Sequence, residues 1–338
     1  MATNPSIEEV FEKISKVIAL VVGDVMLDAY FWGKVDRISP EAPVPIVLVE
    51  KKENRLGGAA NVALNIKALE ATAIICSVVG EDEKGKLFCE LIEKEGMDSI
   101  GIIKSKTRKT TVKTRVIGNN HQMLRVDQEM LDELSNEDEQ KLFERISEIT
   151  NKLKIDVIIF EDYDKGVFTS TLINKIIELA NQKNIATAVD PKKKHFADYK
   201  NVTLFKPNLK ELREGLKVDF ENNDLESIKK AVMELKERQN ADMILTTLSE
   251  QGILIMGNNV EAIVPAHVRN ISDVSGAGDT VISVAALALA AGLEPVAMAH
   301  LANLAGGLVC EEVGVVPVNK TRLMEEASQM NLFINKGN

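Results

Sequence analysis

The chain has 338 residues, with 51 acidic against 41 basic side chains and a formal net charge of −10. That balance disfavours a nucleic-acid protein, whose partner has the same sign, and the length allows one large domain with a substantial core. Cys76, Cys89 and Cys310 stand far apart with no C-x-x-C pair, and the four histidines are scattered, so neither a disulfide framework nor a built-in zinc site is expected.

Residues 1–16 are polar and acidic, with Ile7, Val10, Phe11 and Ile14 at helical spacing and no signal-peptide layout. The longest apolar run, 281–293, is too short to cross a bilayer. A soluble, cytoplasmic protein is expected. Residues 17–22 read as a buried parallel strand, which sets Asp24 and Asp28 at its carboxyl end, where open α/β sheets bind ligands. Between 30 and 50 short alternating pieces are broken by Pro40, Pro43 and Pro45. They predict a small β flap acting as a lid or a dimer contact. Gly57-Gly58-Ala59-Ala60-Asn61 then opens a helix. Either the glycines admit a ligand and Asn61 bonds a polyol, or small residues simply pack the helix on the sheet.

A strand at 73–79 runs into Gly80-Glu81-Asp82-Glu83-Lys84-Gly85-Lys86-Leu87, which nearly matches a P-loop. Leu87 replaces the hydroxyl that would hold Mg²⁺, and three acidic residues would line the phosphate cradle, so an ordinary strand-to-helix turn is expected. Residues 110–117 and 122–126 read as a hairpin around Gly118-Asn119-Asn120. It carries Arg115 and Arg125, either phosphate ligands or solvated strand charges.

From about 136 the pattern is regular β/α. Helices at 136–152, 170–182 and 224–239 alternate with strands at 157–160, 185–189, 202–205 and 243–247, and a further strand follows at 252–256. Each parallel strand ends in a polar cluster: Glu161 to Gly166, Asp190 with Lys192, Lys206 to Glu211, and Thr247 with Ser249 and Gly252. Asn208 and Glu211 fit a capping box, or they order the water around a phosphate-bound Mg²⁺.

Asp273-Val274-Ser275-Gly276-Ala277-Gly278-Asp279-Thr280 precedes a buried helix. Gly276, Ala277 and Gly278 offer free amides and close approach to an anion. Asp279 either caps that helix or takes a proton from a hydroxyl while the amides stabilise an arriving phosphoryl group.

In order and spacing these motifs resemble the ribokinase-like (PfkB) carbohydrate kinases. Gly57–Asn61 and Asp273–Thr280 look like that family's two signatures, and Asn208-x-x-Glu211 looks like its N-x-x-E element. The resemblance implies a three-layer α/β/α sandwich with a mostly parallel sheet and a β lid, drawn from about 30–50 and 110–127, on one domain over 1–338. It implies ATP as donor, Mg²⁺ held mainly by phosphates and water, a possible monovalent cation, Asp279 as catalytic base and the 276–278 amides as anion hole.

A nearer likeness is to D-glycero-β-D-manno-heptose 7-phosphate kinases, which supply heptose for lipopolysaccharide. It rests on Gly23 to Asp28, the run Arg37 to Pro45, Asp162-Tyr163, Lys165-Gly166, Asp190 to Lys192 and Ser249 to Gly252. The chain lacks the H-x-G-H motif of the nucleotidyltransferase often fused to them, so phosphorylation alone is expected. The resemblance implies that Asp28, Gly57, Gly58 and Asn61 hold the sugar, with Arg115, Arg125 and Lys192 as candidates for its phosphate. Asn208, Glu211, Thr247, Ser249, Gly252, Gly278 and Asn303 would border the nucleotide, Asn208 and Glu211 reaching Mg²⁺ through water. A homodimer through the lid is also implied. Ser275, Leu248 and Glu161 depart from the usual Thr, basic residue and Ser. A different sugar, or a binder without catalysis, remains as the alternative; the missing third glycine disfavours a dinucleotide enzyme.

Overall fold

A computed structural model describes residues 6–330 and 332. Nine strands form one sheet in the order Val260–Val264, Ile253–Gly257, Met243–Thr247, Leu204–Phe205, Ala186–Asp190, Val157–Glu161, Ile18–Gly23, Thr72–Gly80 and Ile102–Ser105. All pairings from Met243–Thr247 onward are parallel; the first two strands join antiparallel.

The central strands are apolar on both faces because helices cover both. Ala19 and Val21 point into one buried cluster, with helices Ile7–Ser15, Ala59–Ala68, Ala277–Ala290 and Pro295–Val309. Leu20 and Val22 point into the other, with Asn136–Lys152, Ser170–Gln182, Leu209–Leu216 and Leu225–Gln239. The expected three layers follow. From Ile18–Gly23 the chain first fills one side of the sheet and then the other, so a switch point lies between Ile18–Gly23 and Val157–Glu161. Among the described residues no helix is long and apolar enough to cross a membrane.

A second sheet has four strands, in the order Pro45–Gly58, Val25–Ile38, Val112–Gly118 and His121–Gln128. Its first two strands reach well beyond the expected 30–50. Asp28 therefore sits inside a lid strand and not at the end of a main-sheet strand, because only Asp24 separates Ile18–Gly23 from Val25–Ile38. The hairpin turn is Asn119-Asn120, both at positive φ, with Gly118 paired in the strand. The near P-loop is a strand-to-helix turn: the Asp82 side chain caps Glu83–Lys94 by accepting from the Gly85 amide.

Candidate active site

The carboxyl ends of five parallel strands deliver polar residues to one edge: Asp24, Glu161, Asp190, Lys206 and Thr247. Register sets Gly23 beside Glu161 and Glu161 beside Asp190. The N-terminus of helix Ala277–Ala290 comes down over them. Its N-cap is Gly276 at φ 82°, a left-handed conformation that glycine adopts without strain.

Asp279 does not cap this helix. Its carboxylate, buried, accepts from the Asn61 side-chain amide on one oxygen and from the Tyr163 hydroxyl on the other, each at 2.7 Å. Burial pushes the Asp279 carboxyl up, and Asn61 and Tyr163 bring it part of the way back. Of the amides expected to form the anion hole, that of Ala277 donates to the Val274 carbonyl at 3.3 Å, whereas that of Gly278, and that of the adjacent Asp279, donate to no acceptor among the described residues. A carboxylate with fixed geometry thus sits beside free donors at a helix N-terminus, the layout needed to remove a proton while negative charge gathers alongside.

A Cβ on Gly278 would meet only Asp190 and Lys206, each at 3.8 Å, which is ordinary contact. The fold leaves this position open, so its smallness serves whatever enters the site. Gly278→Ala is expected to keep its thermal midpoint while turnover falls about 100-fold through misplacement of the incoming group. Melting curves and kcat measured on the same preparation check this. Gly57 and Gly58 differ: added Cβ atoms would lie 2.3 Å from the Asp28 carboxylate and the Asp24 carbonyl. The protein's own packing demands Gly58, which is at φ 61° against a backbone carbonyl; at Gly57 the added atom meets the end of the Asp28 side chain.

Three carboxylates, Glu161, Asp190 and Asp279, lie within 4.8 Å of one another. Asp190 is neutralised by Lys206 at 2.8 Å and Lys192 at 3.3 Å. Burial opposes the Asp190 charge, but the two lysines outweigh it and hold its carboxyl below the usual range. Lys192 also donates to Glu211 at 2.6 Å. Burial disfavours its charge, yet Asp190 and Glu211 hold its ammonium well above the ordinary lysine range. Both oxygens of fully buried Glu161 lack a partner. Burial, then Asp190 and Asp279, push its carboxyl well above the carboxylate range.

Asn208 and Glu211 form the capping box of helix Leu209–Leu216, each side chain accepting from the other's amide at 2.9 Å. They also line a cleft of about 480 Å³ with Tyr163, Lys192, Thr247, Ser249, Gly278 and Asp279. An adjoining cavity of about 660 Å³ shares Thr247, Ser249, Val274 and Gly278 and adds Gly252, Ala277 and Asn303 with the apolar Ile271 and Val281. Asn303 donates to the Pro265 carbonyl at 2.8 Å. The residues expected at the nucleotide are therefore gathered on one side of Asp279.

The residues expected at the sugar are less uniform. Asn61 meets Asp279 and keeps a buried Oδ1 without a partner. Asp28 is held by Arg115 at 2.5 Å, and Arg125, half exposed, by Asp127 at 2.9 Å. Lys192 stands with Asn208 and Glu211 rather than with the two arginines, because the Asp190 strand end carries it there. Sequence reading assigned no individual role to Tyr163, Asp24, Asp190 or Lys206. Their position after successive strands was the available signal; the strand order that brings them together was not.

The chain matches the pfkB family of carbohydrate kinases over residues 19–322. It is 37% identical to the Bifunctional protein HldE of Geobacter sulfurreducens over 320 residues, 94% of this chain and 64% of that protein. It is 40% identical to the protein of the same name from Helicobacter pylori (strain HPAG1) over 295 residues, 87% of this chain and 63% of that one. The chain thus spans a little under two thirds of these relatives. In fold it is similar to phosphofructokinase-2 from Escherichia coli in complex with potassium, with TM-score 0.74, 19% identity, and 93% and 99% of the two chains covered. It is similar also to Arabidopsis thaliana ribokinase complexed with ribose and ATP, with TM-score 0.69, 15% identity, and 92% and 99% covered. With two signature-like segments meeting at Asp279 and a family match spanning most of its length, the chain belongs to the pfkB family of carbohydrate kinases.

Proposed function

We propose that the protein transfers the γ-phosphoryl group of ATP to the anomeric hydroxyl of D-glycero-β-D-manno-heptose 7-phosphate, giving the 1,7-bisphosphate and ADP. The observation that carries phosphoryl transfer is the buried Asp279 carboxylate, oriented by Asn61 and Tyr163 beside the free amides of the helix N-terminus. The choice of heptose is supported by the likeness of Arg37 to Pro45 and the other quoted segments to heptose 7-phosphate kinases. Similarity to the HldE proteins along most of this chain adds to it.

In this reading Asp279 takes the anomeric proton as the sugar oxygen bonds to the γ-phosphorus and the bond to the β-phosphate oxygen breaks. The Gly278 and Asp279 amides and Lys206 face the moving charge. The base works only when ionised, so kcat/KM falls as pH drops through its raised pKa. Tyr163→Phe removes a donor that lowers that pKa. A hydrogen bond to a charged group is worth about 1.5–3 kcal/mol, so the acid limb is expected to move up by about one to two pH units. A pH–rate profile with an unmoved limb would separate Tyr163 from the base.

The oxygen donors of Asn208 and Glu211 suit water-mediated contact with Mg²⁺, since Asn208 Oδ1 and both Glu211 oxygens already accept hydrogen bonds. Bound Mg²⁺ neutralises phosphate charge. Exposed Ile38, Leu48, Leu124 and Val126 on the lid support pairing with a second copy there. The test is ADP release against a panel of D-glycero-β-D-manno-heptose 7-phosphate, fructose 1- and 6-phosphates, ribose and adenosine, with and without potassium. Selective turnover of the heptose phosphate is the expected result; turnover of another member discards the heptose assignment, and silence across the panel favours a binder without catalysis.

A further inference from the structure

Lys113 lies on the lid strand Val112–Gly118, between Asp28 on one neighbouring strand and Asp127 on the other. It pairs with neither carboxylate. Arg115 takes Asp28 and Arg125 takes Asp127, while nearby Glu129 is held by Lys165 at 3.0 Å. Among the described residues the Lys113 ammonium makes no salt bridge or hydrogen bond, although the side chain is only partly exposed. Burial pushes its pKa down and Lys165 adds to that, against the partial opposition of Asp28 and Glu129. An ammonium partly stripped of water and without a paired counter-charge gains more from an arriving anion than one already paired.

Its position says which anion. The ammonium lies 5.8 Å from the centroid of the Tyr163 ring, and the hydroxyl of that ring is bonded to Asp279. Lys192 lies 5.5 Å from the same centroid but is tied to Asp190 and Glu211 among the nucleotide-side residues. A single phenol ring thus separates Lys113 from the base. A sugar whose reacting hydroxyl meets Asp279 carries its other substituents about one ring away, where Lys113 stands free. Arg115, two residues along and on the same strand face, and Arg125 across from it hold the flanking carboxylates away from the lysine.

We propose that Lys113 is the receptor for the non-reacting phosphate of the substrate, and so the residue that selects a phosphorylated sugar over a free one. This rests on the sugar-phosphate reading above, and it moves the phosphate contact from Arg115, Arg125 and Lys192 to a residue that the motifs did not single out.

The experiment compares kcat/KM for the heptose 7-phosphate and for the same heptose without its phosphate, in the wild type, Lys113→Met and Lys113→Arg. The methionine keeps the length of the stem, and the arginine keeps the charge. The wild-type preference for the phosphorylated sugar is expected to shrink at least about tenfold in Lys113→Met, mainly through KM, and to return in part in Lys113→Arg. Equal losses on both sugars, or a preference that does not change, would overturn the proposal. If the wild type ignores the heptose phosphate but turns over another sugar phosphate, the heptose reading fails alone. The same comparison, run on that substrate and its dephosphorylated form, then decides the role of Lys113. Binding of inorganic phosphate, followed by calorimetry without turnover, should weaken in Lys113→Met, and unaltered binding would count against the assignment.

Discussion

Asp279→Asn is expected to lower turnover at least about 100-fold, the usual scale for loss of a general base, while the protein stays folded and still binds ATP and sugar. The local network explains why the fold survives. One position of the new amide can still accept from the Tyr163 hydroxyl. The other, now an NH₂, faces the Asn61 side chain, whose own Oδ1 has no partner and becomes an acceptor when that amide turns over. The substitution also removes one charge from a buried cluster that includes Glu161 and Asp190. The thermal midpoint is therefore expected to stay level or rise, the pattern of a site that holds stability below its optimum for the sake of chemistry. Steady-state kinetics, calorimetric binding and a melting curve on one preparation check all three parts. Near-normal turnover would remove Asp279 from the mechanism, and lost binding would make it a structural residue.

Helix and strand positions were legible where local chemistry sets them. Asn136–Lys152 and Ser170–Gln182 carry an apolar face at helical spacing, and the side chains of Ser135 and Thr169 cap them, so their limits were readable to the residue. The helix after Gly57-Gly58 and the polar ends of the parallel strands were readable for the same reason. The lid was only partly so. Its strands alternate in exposure and bend at register shifts, and nothing local says that Val25 already belongs to a different sheet from Gly23.

The site divides along the same line. Asp279 was marked by its glycines and the helix behind it. Its partners Asn61 and Tyr163 are 218 and 116 residues away, and Lys206 reaches Asp190 because Leu204–Phe205 lies next to Ala186–Asp190. Contacts of that kind follow from strand order, which periodicity does not encode. The role proposed for Lys113 was hidden for a subtler reason: it depends on which neighbouring carboxylates are already paired.

Asp24→Ala is expected to cost more stability than any other single change at this edge, and activity with it. The Asp24 carboxylate is buried and accepts from three backbone amides, those of Tyr163 and Lys165 on one oxygen and of Val167 on the other, at 2.9, 3.1 and 3.0 Å. Burial pushes its pKa up, and these amides oppose that by stabilising the charged form. Alanine leaves three N–H groups without their acceptor, that of Val167 buried and those of Tyr163 and Lys165 partly buried; a buried one costs about 1–3 kcal/mol and a partly wetted one less, so a loss of about 2–4 kcal/mol is expected. The chemistry is coupled to this loss because the segment that Asp24 ties down carries Tyr163 to Asp279, and Asp24 is also the joint between the main sheet and the lid. Asp24→Asn tests the account in finer steps. Its single oxygen can serve Tyr163 and Lys165, but its NH₂ then faces the Val167 amide, so its loss should fall between those of wild type and alanine. Urea denaturation of the three proteins gives the order of stabilities, and the acid limb of kcat/KM reports Tyr163. If Asp24→Ala unfolds at the wild-type midpoint, the three amides find other acceptors; if it is destabilised with the limb unmoved, the hold on Tyr163 does not pass through Asp24.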